Sequence, residues 1–114
     1  MNYEDAYPSK YLSAADVRDN EPVVTIGQVE HTVPEGIDRP VLLIYFQEFE
    51  KPMVCNKTNA KRIAYITNNN DTDNWIGKQV KLYEEMVDFQ GAIKPSIRIK
   101  APPRPDVVKK LLEA

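Results

Sequence analysis

The sequence predicts a mainly β fold, a small five-stranded Greek-key barrel with one helix between strands three and four. Three observations carry this expectation. Apolar residues alternate with polar ones in five short segments: Val24 and Ile26, Ile44 and Phe46, Met53 and Cys55, Val80 and Leu82, Ile97 and Ile99. One stretch inside this series, after Asn56, instead carries its apolar residues at helical spacing. The alternation also slips by one at Gly27, from Val24 and Ile26 to Val29, as a β-bulge makes it do.

Taken in order, residues 1–20 form an N-terminal arm in which Ser13 caps a short turn through Val17. Pro22 admits an extended segment from Val23 to Thr32, which bends at Gly27 so that one strand can serve both sides of a small closed sheet. The Pro and Gly of residues 33–38 make a loop. A second strand runs from Pro40 to about Glu48, and a short third covers Met53 to Cys55. Asn56 caps a helix over roughly Lys57 to Thr67, with Ala60, Ile63, Ala64 and either Tyr65 or Ile66 inward. Residues 68–71 form a loop. The fourth strand follows Gly77; a change of register at Glu84–Met86 is expected to return Val87 and Phe89 to the apolar face. Gln90–Gly91 turns the chain into a fifth strand through Ile97 and Ile99. Residues 21–101 are then one domain, and residues 102–114 a proline-rich spacer and a short C-terminal helix. Three strands, a helix and two strands is the order of an oligonucleotide/oligosaccharide-binding (OB) barrel; an open α+β sandwich is the alternative.

Composition narrows the classes. A chain of 114 residues with 42% apolar side chains suits one compact core. The longest apolar run, Val41 to Phe46, is six residues, against roughly 20 for a membrane-spanning helix. The polar, acidic start resembles neither a secretory signal nor a transit peptide. A single cysteine excludes an intrachain disulfide and a cysteine zinc cluster, which fits a cytoplasmic protein. Net charge is −2, but it is unevenly spread. Residues 1–50 hold three basic and ten acidic side chains; residues 51–114 hold twelve basic and seven acidic. The excess of cations in the second half points to a basic face.

Cys55 and His31 invite a nucleophile–base reading, but Cys55 alternates with Met53 on the apolar face and His31 ends a strand beside an acidic loop. The run Asn70 to Asn74 has the look of a calcium loop without its glycine or its closing glutamate. Glu84, Glu85 and Asp88 lie along one strand with no partner base, and the four glycines are isolated, so no phosphate-cradling loop exists. Trp75 reads as an anchor between helix and strand rather than a stacking platform. No cofactor and no metal is implied, and the chain reads as a binding protein rather than an enzyme. The positive signal is one patch. If Ile44, Phe46, Val80, Leu82, Ile97 and Ile99 point inward, then Tyr45, Lys81, Tyr83, Arg98 and Lys100 point outward. Aromatic rings interleaved with cations suit a single strand of DNA or RNA: rings stack on bases while cations hold phosphates.

The segments YFQEFEKPMVCNKTNA, DTDNWIGKQVKLY, VDFQG and SIRIK, within residues 40–100, resemble a family of small phage and prophage proteins of largely uncharacterised function. The stretch KYLSAADV near the start resembles it weakly. The resemblance implies an OB fold and a setting in phage replication or recombination, with no catalytic residue to carry over. Its pattern has leucine where this chain has Cys55, which fits an inward, structural cysteine. Two functions follow as expectations. One is weak, sequence-independent binding of single-stranded nucleic acid through the patch. The other is a protein-interaction adaptor, or self-association through the stripe Val107, Val108, Leu111 and Leu112 of the C-terminal helix.

Overall fold

The computed structural model describes residues 10–103; the part of the expected N-terminal arm before Lys10 and the expected C-terminal helix lie outside them. Five strands follow one another as β1 (Val23–Thr32), β2 (Val41–Phe46), β3 (Met53–Cys55), β4 (Gln79–Phe89) and β5 (Ala92–Lys100). A single helical turn, α1 (Ala14–Val17), precedes them, and α2 (Lys57–Thr67) stands between β3 and β4 in the chain. A 3-10 turn at Thr72–Trp75, beyond the loop expected at residues 68–71, leads into β4. Among the described residues no helix is long and apolar enough to cross a membrane.

All strands pair antiparallel in one five-stranded sheet of order β3-β2-β1-β4-β5. The strand β1 is shared. Val23–Thr25 pair with β4, while Ile26 to Thr32 pair with β2, and the register slips between Ile26 and Gln28. A Cβ on Gly27 would stand 3.3 Å from the Tyr45 carbonyl oxygen, closer than ordinary contact, so glycine is what lets the strands approach there. The bend brings both halves of the sheet onto one core, where Val24, Ile26, Ile44, Val80, Leu82 and Ile99 are at most 1% exposed.

Two features depart from the sequence-based expectation. First, the sheet does not close into a barrel: its edges are β3 and β5. β3 has only three residues, and Pro95 in β5 has no N–H to donate. Other groups occupy the space between the edges. The Leu12 N–H donates to the Pro52 carbonyl at 2.9 Å, and the Asn59 amide donates to the Ile97 carbonyl at 2.9 Å. Second, β4 keeps one register against β5 from Lys81 to Phe89, with no change at Glu84–Met86. Val87 therefore lies on the face opposite Leu82; the Phe89 side chain lies outside the described residues. Beyond the Glu84–Ile97 pair no core remains to be covered, so nothing forces a bulge, and Met86 and Ile93 stay 58% and 70% exposed.

The helix α2 is fixed at both ends and on one side. The Asn56 side chain accepts from the Asn59 N–H at its start, and Asn68 ends it in the left-handed conformation (φ 54°). Asn59 and Ile63, four residues apart, are both buried and turn the same side of the helix toward the sheet. Trp75 is 2% exposed and donates its indole N–H to the Asn69 carbonyl at 2.7 Å, which pins the connection from α2 to β4.

Candidate nucleic-acid interface

Four of the five patch residues meet on the outer face of the β4–β5 ladder. Antiparallel register sets Lys81 opposite Lys100 and Tyr83 opposite Arg98. Alternation makes this arrangement, since Val80, Leu82, Ile97 and Ile99 take the core side. The Lys100 ammonium stands 4.6 Å from the centroid of the Tyr83 ring, within cation–π range.

Carboxylates temper the charge on this face. Glu21 accepts from Lys100 at 3.1 Å and lies 4.0 Å from Lys81. Arg98 is bound to Glu85 at 3.1 Å, with its side chain only 12% exposed. Arg98 therefore offers little free charge to a ligand.

The helix α2 completes the site. Arg62 donates to the Tyr83 hydroxyl at 2.8 Å and locks that ring against the helix. Lys61, Arg62, Tyr65 and Ile66 from α2, with Tyr83, Ile99 and Lys100 from the sheet, line a groove of about 340 Å³. Tyr65 is 88% exposed, a large aromatic surface with no packing role. A neighbouring hollow of about 550 Å³ shares Tyr65, Ile66 and Ala101 and adds Lys78 and Gln79, so the depression continues past the end of β5.

Tyr45 stands apart. It pairs with Gln28 on β1, whereas Lys81 pairs with Val23, five residues nearer the start of that strand. Its hydroxyl donates to Glu30 at 3.4 Å, and partial burial and that carboxylate raise its pKa. Its surroundings are acidic.

Lys61, Arg62 and Tyr65 escaped the strand-based reading. For Lys61 and Arg62 the signal is present, since a helix that turns Ile63 inward must turn other positions outward; Tyr65, expected with Ile66 as an alternative for the inner side, is exposed instead. What the sequence did not show was which strands that outer side adjoins.

Cys55 and His31 do not form a reactive pair. Both are ladder neighbours of Leu42, on β3 and β1 respectively, so two strand spacings, about 10 Å, separate their backbones. Burial pushes the Cys55 thiol up to about 12, which keeps it protonated and unreactive at neutral pH. No family model, no curated protein and no solved structure matches the chain.

Proposed function

We propose that this chain is a non-enzymatic module that binds single-stranded nucleic acid in the groove between α2 and the β4–β5 ladder. The observation that carries the proposal is the lining of that groove: two tyrosines, Tyr65 and Tyr83, beside Lys61, Arg62 and Lys100. Bases stack on rings whatever their sequence, and each stack contributes about 1–3 kcal/mol. Two rings and three cations then support weak, sequence-tolerant binding. The architectural side of the proposal is an opened OB-like sheet. It is supported by the strand order β3-β2-β1-β4-β5, by a first strand shared at a bulge and by a helix joining β3 to β4. The resemblance to phage proteins supplies the setting, phage or prophage DNA replication or recombination.

The test is a titration with a labelled 12-nucleotide single strand at 50 and 200 mM salt. Three phosphate contacts on a single strand predict a log–log slope near −2, hence roughly a 20-fold loss of affinity across that range. Replacing Lys61 and Arg62 together by Glu is expected to cost at least tenfold, about 1.4 kcal/mol or more, with the circular dichroism spectrum unchanged. No binding at 50 mM salt with tens of micromolar protein, about the ceiling for a non-specific site, removes the proposal. A second reading, an adaptor for a protein partner, is supported by exposed Met86 and Ile93 beside the edge of β5, which pairs with no further strand among the described residues. That negative titration would leave it in front.

A further inference from the structure

A second depression, of about 650 Å³, lies where the far end of β1, the start of β2, β3 and α2 converge. His31, Leu42 and Cys55 are ladder neighbours across its strand wall. Arg39 enters it from the β1–β2 connection, Lys57 and Ala60 from the first turn of α2, and Thr72 from the start of the 3-10 turn.

Six of the described basic side chains have a carboxylate partner, whereas Lys61 and Lys78, outside this hollow, have none among the described residues. Lys10, Arg18, Lys51, Lys81, Arg98 and Lys100 each meet a carboxylate within 4.0 Å. The side chains of His31, Arg39 and Lys57 likewise have no ion-pair or hydrogen-bond partner among the described residues, and no acidic side chain of those residues lines the hollow. Arg39 and Lys57, converging on a concavity whose described lining includes no carboxylate, raise its positive potential, because low-dielectric walls focus the field. The wall between them is apolar, formed by Leu42, Cys55 and Ala60, and the protonated Cys55 thiol adds no negative charge. Apolar lining with a few convergent polar groups, in a volume within the roughly 300–1,000 Å³ of small-molecule sites, fits a ligand that is anionic at one end and flat and apolar at the other.

We propose that this hollow is a second binding site, for a phosphate group attached to a nucleoside, with Arg39 and Lys57 holding the phosphate and the base resting on the Leu42–Ala60 wall. Arginine presents its donors as a planar fork that matches two phosphate oxygens, while lysine acts as a mobile point charge. Thr72 lies on the same lining and carries a hydroxyl that can serve as a neutral donor. The phosphate comes either from a free nucleotide or from the backbone of a strand. The assignment does not rest on the groove at β4–β5, with which this hollow shares no lining residue.

The test is two-dimensional amide NMR of the full chain, titrated separately with pyrophosphate, with adenosine monophosphate and with the 12-nucleotide strand. Adenosine monophosphate is expected to saturate, with the largest shifts at Lys57, Ala60 and Thr72, and pyrophosphate to shift the same amides. Replacing Arg39 and Lys57 together by Ala is expected to weaken adenosine monophosphate at least tenfold; both are exposed, so the fold should hold. The Lys61→Glu, Arg62→Glu protein should bind it unchanged, which separates failure of this site from failure of the groove. Loss of strand affinity in the Arg39, Lys57 variant assigns the phosphate to a strand; retained strand affinity assigns it to a free nucleotide. Absence of saturation up to about 10 mM, shifts centred elsewhere, or full affinity in the Arg39, Lys57 variant overturns the proposal.

Discussion

The groove at β4–β5 and the hollow at the β2–α2 junction both gather basic side chains, yet they differ in how many of these are already engaged. In the groove, Lys100 shares Glu21 with Lys81, Arg62 is occupied by the Tyr83 hydroxyl, and neighbouring Arg98 is held by Glu85, which leaves Lys61 as the groove cation with no partner among the described residues. In the hollow, the side chains of His31, Arg39 and Lys57 have no partner among the described residues. The groove offers aromatic surface with moderated charge; the hollow offers charge with an aliphatic wall. A count of basic residues along the sequence cannot separate the two. What decides is whether a carboxylate from another strand or turn reaches each cation.

The largest expected effect breaks both regions together, because α2 supplies residues to each. Lys57 and Ala60 serve the hollow, Lys61, Arg62 and Tyr65 the groove, and Ile63 is the fully buried residue that seats the helix. Ile63→Ala removes buried methyl groups and leaves a cavity, a change that typically costs about 2–5 kcal/mol. The urea midpoint is expected to fall accordingly, and both binding activities with it above that midpoint. A loss below about 1 kcal/mol would show that other contacts seat α2.

The sequence made the alternating strands, the slip at Gly27 and the helix after Asn56 readable, since each rests on local periodicity or a local cap. Barrel closure was not readable, because it depends on what fills the space between β3 and β5. Asn59 and the Leu12 N–H fill part of that space, and neither is marked by pattern. The supposed register change at Glu84–Met86 failed for a related reason: it assumed a core extending along the whole hairpin. Of the patch, Lys81, Tyr83, Arg98 and Lys100 were legible from period two alone. Tyr45 was included on the same rule, which fixes the face of a strand but not its distance from another strand across the bend.

A smaller effect sharpens the comparison by converting one region toward the other. Glu21 is the carboxylate that engages both Lys81 and Lys100. Glu21→Gln frees two cations beside the groove without adding bulk. Exposed ion pairs of this kind contribute about 0–1 kcal/mol, so the stability change should be small. Strand affinity is expected to rise about two- to fivefold at 50 mM salt, with the gain shrinking at 200 mM as screening increases. Binding of adenosine monophosphate at the hollow should not move. Unchanged strand affinity would show that the ligand does not pass over the two lysines.

The smallest expected effect concerns Tyr45, and it tests whether the groove is one site or a fragment of a broader face. Tyr45 has the residue type a stacking platform needs and is half-buried on β2. Its neighbours oppose the role: Glu30 accepts from its hydroxyl, and any phosphate brought near that ring would approach a carboxylate. It also lies on the part of β1–β2 beyond the bulge, whereas the groove adjoins the part of the sheet that pairs with β4. A strand seated on Tyr65 and Tyr83 gains nothing there, so Tyr45→Ala is expected to change strand affinity less than twofold, under about 0.4 kcal/mol. Tyr83→Ala, measured beside it, should weaken binding about five- to 150-fold if its ring stacks on a base at about 1–3 kcal/mol. Equal losses in the two variants would mean that the ligand crosses the bulge and that the acidic surroundings of Tyr45 are overcome by contacts on both sides. A Tyr45 variant that binds the strand more tightly would have the opposite meaning, with the ring acting only to shield the groove from a competing path.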